Sequence, residues 1–437
     1  MFKTLMNAFK IKDLRNKILF TFAMIVVIRL GSQLPVPGVD RNYFAAWFAA
    51  QSGDAFNFLD AFTGGSFMNM SVFALNISPY ITSSIIMQLL TIAILKLEEM
   101  QKDGEEGRKK IASITRYVTV GLALIESAAM AIGFGRSGLL QEYNAINVII
   151  VVAAMTAGSA VVMWIGERIT EHGVGNGISV VLAVNILSRL PQDMNGLYEQ
   201  FIKGKAIAVG VLAAVIILVV MLAMIIMVIV LNGGVRKIPV QYAKKMQGRK
   251  IVGGQSSNIP LRVNTAGVIP IIFASSIMET PNVICAIFGI NPSGVWAEIL
   301  KGMSSSNWCR LDAPLYSIGL VVYILMVIFF AYFYTSITFN PLEISENMKK
   351  QGGFVPGIRP GRPTCDYLNK ILNYIIFIGA CGLTIIGILP FVFNGLFGAS
   401  VSFGGTSLII IVSVILETVK QIESQMLVRN YTGFLND

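Results

Sequence analysis

Ten long apolar runs constrain this chain more than any other feature. They lie at about 18–34, 72–95, 114–133, 146–166, 174–190, 206–231, 265–288, 315–339, 368–393 and 406–428. A helix that crosses a bilayer needs about 20 predominantly apolar residues, and the runs reach or approach that length. Only helices and closed barrels satisfy their backbone in lipid, and the runs lack the alternation of barrel strands. The expectation is therefore an all-α polytopic membrane protein. Composition agrees, since only 13% of the 437 residues are charged and the mean hydropathy is +0.69, whereas a soluble domain carries about 25% charge. Met1 is followed by Lys3, Lys10, Lys12, Arg15 and Lys17 and then by the first run. That run continues past Arg29 without an obvious small-residue cleavage site, so it reads as a retained span rather than a signal peptide.

The distribution of charge orients the spans. When Arg29, inside the first span, is set apart and the other cations near span ends are assigned to the adjoining loop, alternate segments beginning with the amino end hold 26 Lys and Arg, and the others hold 7, of 34 in all. By the positive-inside rule both termini are cytoplasmic. The loop 232–262 carries Arg236, Lys237, Lys244, Lys245, Arg249, Lys250 and Arg262 without one Asp or Glu. A second cluster, Lys349, Lys350, Arg359 and Arg362, surrounds GGFVPGIRPGRP at 352–363, where Gly and Pro forbid a continuous helix. Part of this charge serves orientation. The excess reads as a docking surface for an acidic partner, such as ribosomal RNA or an acidic patch on a motor protein.

Other signals are mostly negative. Cys285, Cys309, Cys365 and Cys381 show no paired spacing, and His172 has no nearby ligand, so neither a disulfide framework nor a metal site is expected. No phosphate-binding loop of the G-x-x-x-x-G-K-[ST] type occurs. No cofactor and no catalytic residue are expected.

Two features point to an internal cavity. Residues 54–70, DAFNFLDAFTGGSFMNM, are apolar but too short to cross, and Gly64-Gly65 interrupts them. A re-entrant segment of this kind is tolerated only against protein or water; the other reading is an external loop with an interfacial helix. The segments SPYITSSIIM (78–87) and PIIFASSIM (270–278) align with an offset of 191, matching Pro79, Ile81, Ser84, Ile86 and Met87 to Pro270, Ile272, Ser275, Ile277 and Met278. The spans that hold them run in opposite directions, as in a five-span unit duplicated with inverted topology. The two prolines are expected to bend these spans. Glu126 reads as the one acidic residue deep in a span, where such groups are functional by default; a gate hydrogen bond, a structural pair or protonated acid, and proton coupling are the readings open to it. Arg29 lies near the outer end of its span, where it can snorkel, and is read as structural.

Many ordered segments carry a family resemblance: RLGSQLPVPGVD (29–40), PYITSSIIMQLL (79–90), EEGRKKI (105–111), MWIGERITEHGVGNGIS (163–179), IPVQYAKKMQGRK (238–250), NIPLRVNTAGVIPIIFASSI (258–277), GGFVPGIRPG (352–361) and FGGTSLII (403–410). With them the chain resembles the bacterial SecY protein-conducting channels. The external loop 289–314 has no confident counterpart there.

The resemblance implies a clamshell of ten transmembrane helices in two inverted five-helix halves, opening toward lipid between the second and seventh spans. The implied organisation is a basic amino end (1–17), a first half (18–190), an external connection (191–205), a second half (206–429) with cytoplasmic loops 232–262 and 340–367, and a tail (430–437). It implies a constriction ring of Ile77, Ile81, Ile178, Leu182, Ile272 and Ile410. A plug is implied at about 56–70, including Phe58, Leu59, Phe62, Gly64, Gly65 and Phe67. A polar cluster at the lateral gate would comprise Thr82, Glu126 and Asn264. Docking of the motor or ribosome would fall on Arg236, Lys237, Lys244, Lys245, Arg249, Lys250 and Arg359. The implied partners are the SecE and SecG subunits, the SecA motor ATPase, the ribosome through its RNA and tunnel-exit protein, signal peptides and nascent polypeptides, and the lipid bilayer. The implied location is the bacterial plasma membrane. The function would be passage of unfolded secretory proteins and lateral release of hydrophobic segments.

A secondary transporter shares the span count and the symmetry. Transporters place coordinating groups at mid-membrane, and this sequence offers few, while its large basic loops have no use there. An intramembrane hydrolase is disfavoured because no nucleophile–base–orienter set can be assembled.

Overall fold

A computed structural model describes residues 9–40, 43–44, 46, 60, 63–136, 138–140, 142–203, 207–242, 245–247, 250–252, 256–288, 293–310, 313–397 and 405–432. Each of the ten apolar runs lies on a helix. These are α1 (Lys12–Gly31), α2 (Ser78–Ala93), α4 (Glu105–Arg136), α5 (Ala145–His172), α6 (Gly177–Phe201), α7 (Ile207–Gly233), α8 (Ile269–Phe288), α10 (Ile318–Thr338), α12 (Arg362–Phe397) and α13 (Gly405–Thr432). Three shorter helices join them: α3 (Leu95–Lys102), α9 (Val295–Met303) and α11 (Pro341–Lys350).

Among the described residues, α4, α5, α7, α10 and α12 each contain a stretch long and apolar enough by itself to cross a membrane, and α2 does so together with α3 across a bend of 106°. The bend follows from Ile94, whose extended backbone (φ −113°, ψ 108°) interrupts the helix. The other four carry buried polar side chains, Thr21, Asn185, Ser275 and Ser407 among them, as helices facing protein on several sides do.

The helices pack as two groups. In the first, α5 joins α1, α4 and α6, and α4 also holds α2. In the second, α12 joins α7, α10 and α13, and α10 holds α8. The groups meet along two seams: α4 against α8 on one side, and α6 against α7 and α13 on the other.

The aligned segments of the two groups occupy equivalent places. Pro79 and Pro270 are each the second residue of their helix. This corrects the expected kinks, because a proline in the first turn replaces an amide that has no intrahelical partner. Prolines lie inside α6, α8 and α12 instead, at Pro191, Pro281 and Pro390.

The basic loop after α7 contains strands, which the apolar pattern did not suggest. β1 (Val235–Tyr242) pairs antiparallel with β4 (Ser256–Arg262), and beyond them β2 (Lys245–Gln247) pairs with β3 (Lys250–Val252). The second basic loop contributes β5 (Gly353–Phe354), which pairs with the far end of β1 through Gln241↔Phe354 and Tyr242↔Gly353. What reads as two separate basic loops is one structure. Its apolar base, Ile238, Val240, Leu261, Met348 and Val355, packs on Leu368 and Ile375 of α12.

Candidate functional site

The expected ring residues share one apolar cluster. Ile77, Leu182 and Ile410 are buried in it, and Ile81, Ile178 and Ile272 pack against it half-buried. They come from α2, α6, α8, α13 and the residue that caps α2, so both helix groups contribute.

Local structure sets five of them. Ile77 follows Asn76, which is buried with a left-handed backbone (φ 49°). The Asn76 carbonyl accepts a hydrogen bond from Ser159 Oγ of α5 at 3.0 Å, and its amide donates to the Thr63 carbonyl at 3.4 Å. Ile178 and Leu182 are one turn apart on α6. That helix starts against α5 so tightly that a Cβ on Gly177 would lie 1.9 Å from the Gly166 carbonyl oxygen. Asn176 caps it, its side-chain oxygen accepting from the amides of Ile178 and Ser179. Ile81 N–H donates to the Ile77 carbonyl, as Ile272 N–H donates to that of Val268. Val268 also packs against the cluster. Sequence reading missed it, although the 191-residue offset pairs it with Ile77.

Beside the cluster lies a cavity of about 420 Å³, lined by Tyr80, Ile81, Ser84 and Gln88 of α2, by Ile178 and Ser179 of α6, and by Ile269 of α8. An ion pair joins α4 to α5 on its wall, Arg116 Nε to Glu167 Oε1 at 2.7 Å. A polar bridge crosses between the helix groups, Tyr334 Oη of α10 donating to Gln88 Oε1 at 3.3 Å.

The three expected gate residues are not joined by hydrogen bonds among the described residues. Thr82 is exposed and Glu126 is half-buried. Asn264 is buried, and its amide donates to Asn232 Oδ1 at 2.7 Å, while Asn232 donates to Ser413 Oγ of α13 at 2.7 Å. A second acid within a span, Glu279 of α8, is more deeply buried than Glu126 and accepts from Ser305 N–H and Oγ.

On the side of the cluster away from the basic strands, the segment 63–70 packs on α6. Gly64 has φ +67°, and a Cβ there would lie 2.7 Å from the Asn185 carbonyl oxygen, so glycine is required for conformation and for space. Gly65, with φ +84°, turns the chain, and Phe67 is buried against Phe44 and Phe134. Phe58, Leu59 and Phe62 lie outside the described residues.

Arg29 does not snorkel. It turns inward and donates to the Gly64 carbonyl at 3.3 Å, the Val184 carbonyl at 2.8 Å and Asn185 Oδ1 at 2.9 Å. Asp60, fully buried, forms an ion pair with Arg189 of α6 and accepts from Met68 N–H at 2.8 Å. Sequence reading missed this pair. The available signal was an acid within an otherwise apolar re-entrant segment.

Of the expected docking residues, Arg236 and Lys237 lie on β1 and Arg359 follows β5, all three exposed. Lys245 begins β2 and Lys250 begins β3. Lys244 and Arg249 lie outside the described residues.

Comparison with known proteins gives one consistent answer. The family model for SecY matches residues 71–419. The chain is 44% identical to the protein translocase subunit SecY of Streptomyces galbus, with 98% of each chain covered. The chain belongs to the SecY family. It is also 40% identical to the SecY subunit of Bacillus subtilis over the full length of both. In structure it resembles a protein-conducting channel with a TM-score of 0.61 at 16% identity, covering 94% of this chain and 92% of the other. It likewise resembles Sec61 in the canine ribosome-channel complex, with a TM-score of 0.60 and the same coverage. At such identities the structural likeness shows the fold alone, that of a multi-pass helical membrane channel. The SecY assignment rests on the sequence matches.

Proposed function

We propose that this chain, the pore-forming subunit of a protein translocation channel, passes unfolded secretory polypeptides through the waist formed by Ile77, Ile81, Ile178, Leu182, Ile272 and Ile410. The supporting observation is that both helix groups converge on one aliphatic cluster with a cavity on its flank. Branched aliphatic side chains repel water and ions yet bind no passing side chain specifically. A chain held at the seam between α2 and α4 on one side and α8 and α10 on the other can sample lipid. There a central Leu or Ile gains about 0.3–0.6 kcal/mol and each Lys or Asp costs about 2.5–3.5, so lateral release is partitioning. The segment about 56–70 is proposed as the plug, and Thr82, Glu126 and Asn264 as gate residues.

The remaining assignments follow the same reading. The membrane is the bacterial plasma membrane, with both termini cytoplasmic. The SecE and SecG subunits complete the channel, and the SecA motor or the ribosome supplies the driving force. The chain itself performs no catalysis.

Two experiments test this reading. In a background without the native cysteines, a short bis-maleimide bridge between Gln88→Cys and Tyr334→Cys should block export of a secretory precursor by reconstituted channels. Undiminished export through the bridged form contradicts a gate at this seam. Charge reversal at Arg236, Lys237 and Arg359 should weaken binding of the ribosome, and each phosphate interaction removed should reduce the slope of log affinity against log salt by about 0.7–0.9. An unchanged slope rejects RNA docking on these strands.

A further inference from the structure

Between α8 and α10, the described residues 293–310 and 313–317 pack on the ends of the two helices. Helix α9 ends so close to the start of α10 that a Cβ on Gly319 would lie 1.8 Å from the Gly302 carbonyl oxygen. Trp308 is buried against Tyr323 and Phe391, and its indole N–H donates to that same carbonyl at 2.8 Å. Glu279 of α8 holds Ser305. The helix is thereby fixed at the ends of α8 and α10 remote from the basic strands.

At helical spacing Val295, Trp296, Ile299, Leu300 and Met303 share one face of α9, and Ala297, Glu298, Lys301 and Gly302 share the other. Met303 packs inward, but Val295 and Trp296 are 75% and 70% exposed and Ile299 is also exposed. On the polar face Glu298 pairs with Lys301 at 3.0 Å and accepts from the Tyr316 hydroxyl. These two interactions, the tyrosine first, hold its carboxyl below the usual carboxylate range. A fixed helix that presents bare apolar side chains needs an explanation, because ordering it in water gains nothing for them.

We propose that α9 lies in the surface of the outer leaflet, with Val295, Trp296 and Ile299 inserted among the lipids. The face continues through Leu315, just before α10, into Ile318, Val321 and Leu325 at its start, all exposed, on a helix apolar enough to cross the membrane. Lipid against the upper turns of α10 therefore reaches the level of α9. A protein occupant fits poorly, since a stable interface buries about 800 Å² per partner, whereas three side chains suffice for an interfacial helix anchored by tryptophan. Because the same segment is tied to α8, the outer end of a gate helix would be held at the membrane surface.

The test uses the full-length chain reconstituted in phosphatidylcholine and phosphatidylglycerol vesicles carrying bromines at either the 6,7 or the 11,12 acyl positions. Emission of Trp296, taken as the difference between the wild type and Trp296→Phe, should be quenched about twofold more by the shallow bromines than by the deep ones, as an insertion depth of about 5–10 Å requires. It should be protected from aqueous iodide. The variant Val295→Ser/Ile299→Ser retains Trp296 and every interaction that fixes the helix, and its emission should shift to the red with weaker lipid quenching. Full access to iodide without lipid quenching overturns the proposal in favour of a solvated helix. Protection from iodide without lipid quenching overturns it in favour of a second copy of this chain.

Discussion

Replacing Ile77, Ile81, Ile178, Leu182, Ile272 and Ile410 together by serine is expected to turn a closed channel into an ion-conducting one. Ile77, Leu182 and Ile410 are buried in the shared cluster, and truncating a buried Leu or Ile costs about 2–5 kcal/mol through reduced transfer energy and the cavity left behind. Serine additionally brings hydroxyls that water can join, so the new space wets rather than collapsing. Conductance across planar bilayers should rise from the background level in the absence of any polypeptide. Single replacements of the half-buried Ile81, Ile178 and Ile272 should have smaller effects, because their neighbours can close over the gap. A sextuple variant that folds and stays as tight as the wild type would remove the waist from the mechanism.

The second large effect is expected at Arg189. Its partner Asp60 is buried, and removing one member of a buried ion pair leaves the other charge without compensation, at a cost of about 3–5 kcal/mol. For Arg189→Ala that cost falls on the arrangement in which the segment around Asp60 is seated against α6. A difference of about 1.4 kcal/mol is tenfold in an equilibrium, so the unseated population should grow by roughly 10² to 4 × 10³. A thiol probe placed on the segment should become reactive from the external side, with a matching rise in resting leak. Asp60→Asn/Arg189→Met replaces both charges and should restore most of the seal, as expected for a pair whose main energetic importance is that neither member be left alone. Equal leak in the single and double variants would show that the pair does not seat the segment.

How far the sequence could be read depended on the range of the physics involved. Spans come from local sums over about 20 residues, and all ten runs lie on helices because each sum is local. The ring assignment of Ile81 and Ile272 comes from the family resemblance; the 191-residue offset pairs these two and, carried one turn further back, pairs Ile77 with Val268, and all four meet in one cluster. Interactions between distant segments left no such mark. Arg29 lies near the end of an apolar run and reads as a residue able to reach the interface, but the partners that turn it inward are the carbonyls of Gly64 and Val184, which have no sequence signature, and the side chain of Asn185, which is 156 positions away. The kinks assigned to Pro79 and Pro270 failed because the apolar runs begin before the helices do. The strands of the basic loop were hidden for a different reason: their alternation, with Ile238 and Val240 inward and Lys237, Pro239 and Gln241 outward, is short and sits among charges that dominate the reading.

The pairing of β5 with β1 has a mechanical corollary. The strands β1, β4 and β5 of the basic projection are rooted in the second helix group. A large body seated there would grip that group alone, with both projections moving as one handle. Torque delivered to the handle would then swing one leaf of the structure while the other stays with the surrounding bilayer, so the act of engagement could itself loosen the seam where α4 meets α8.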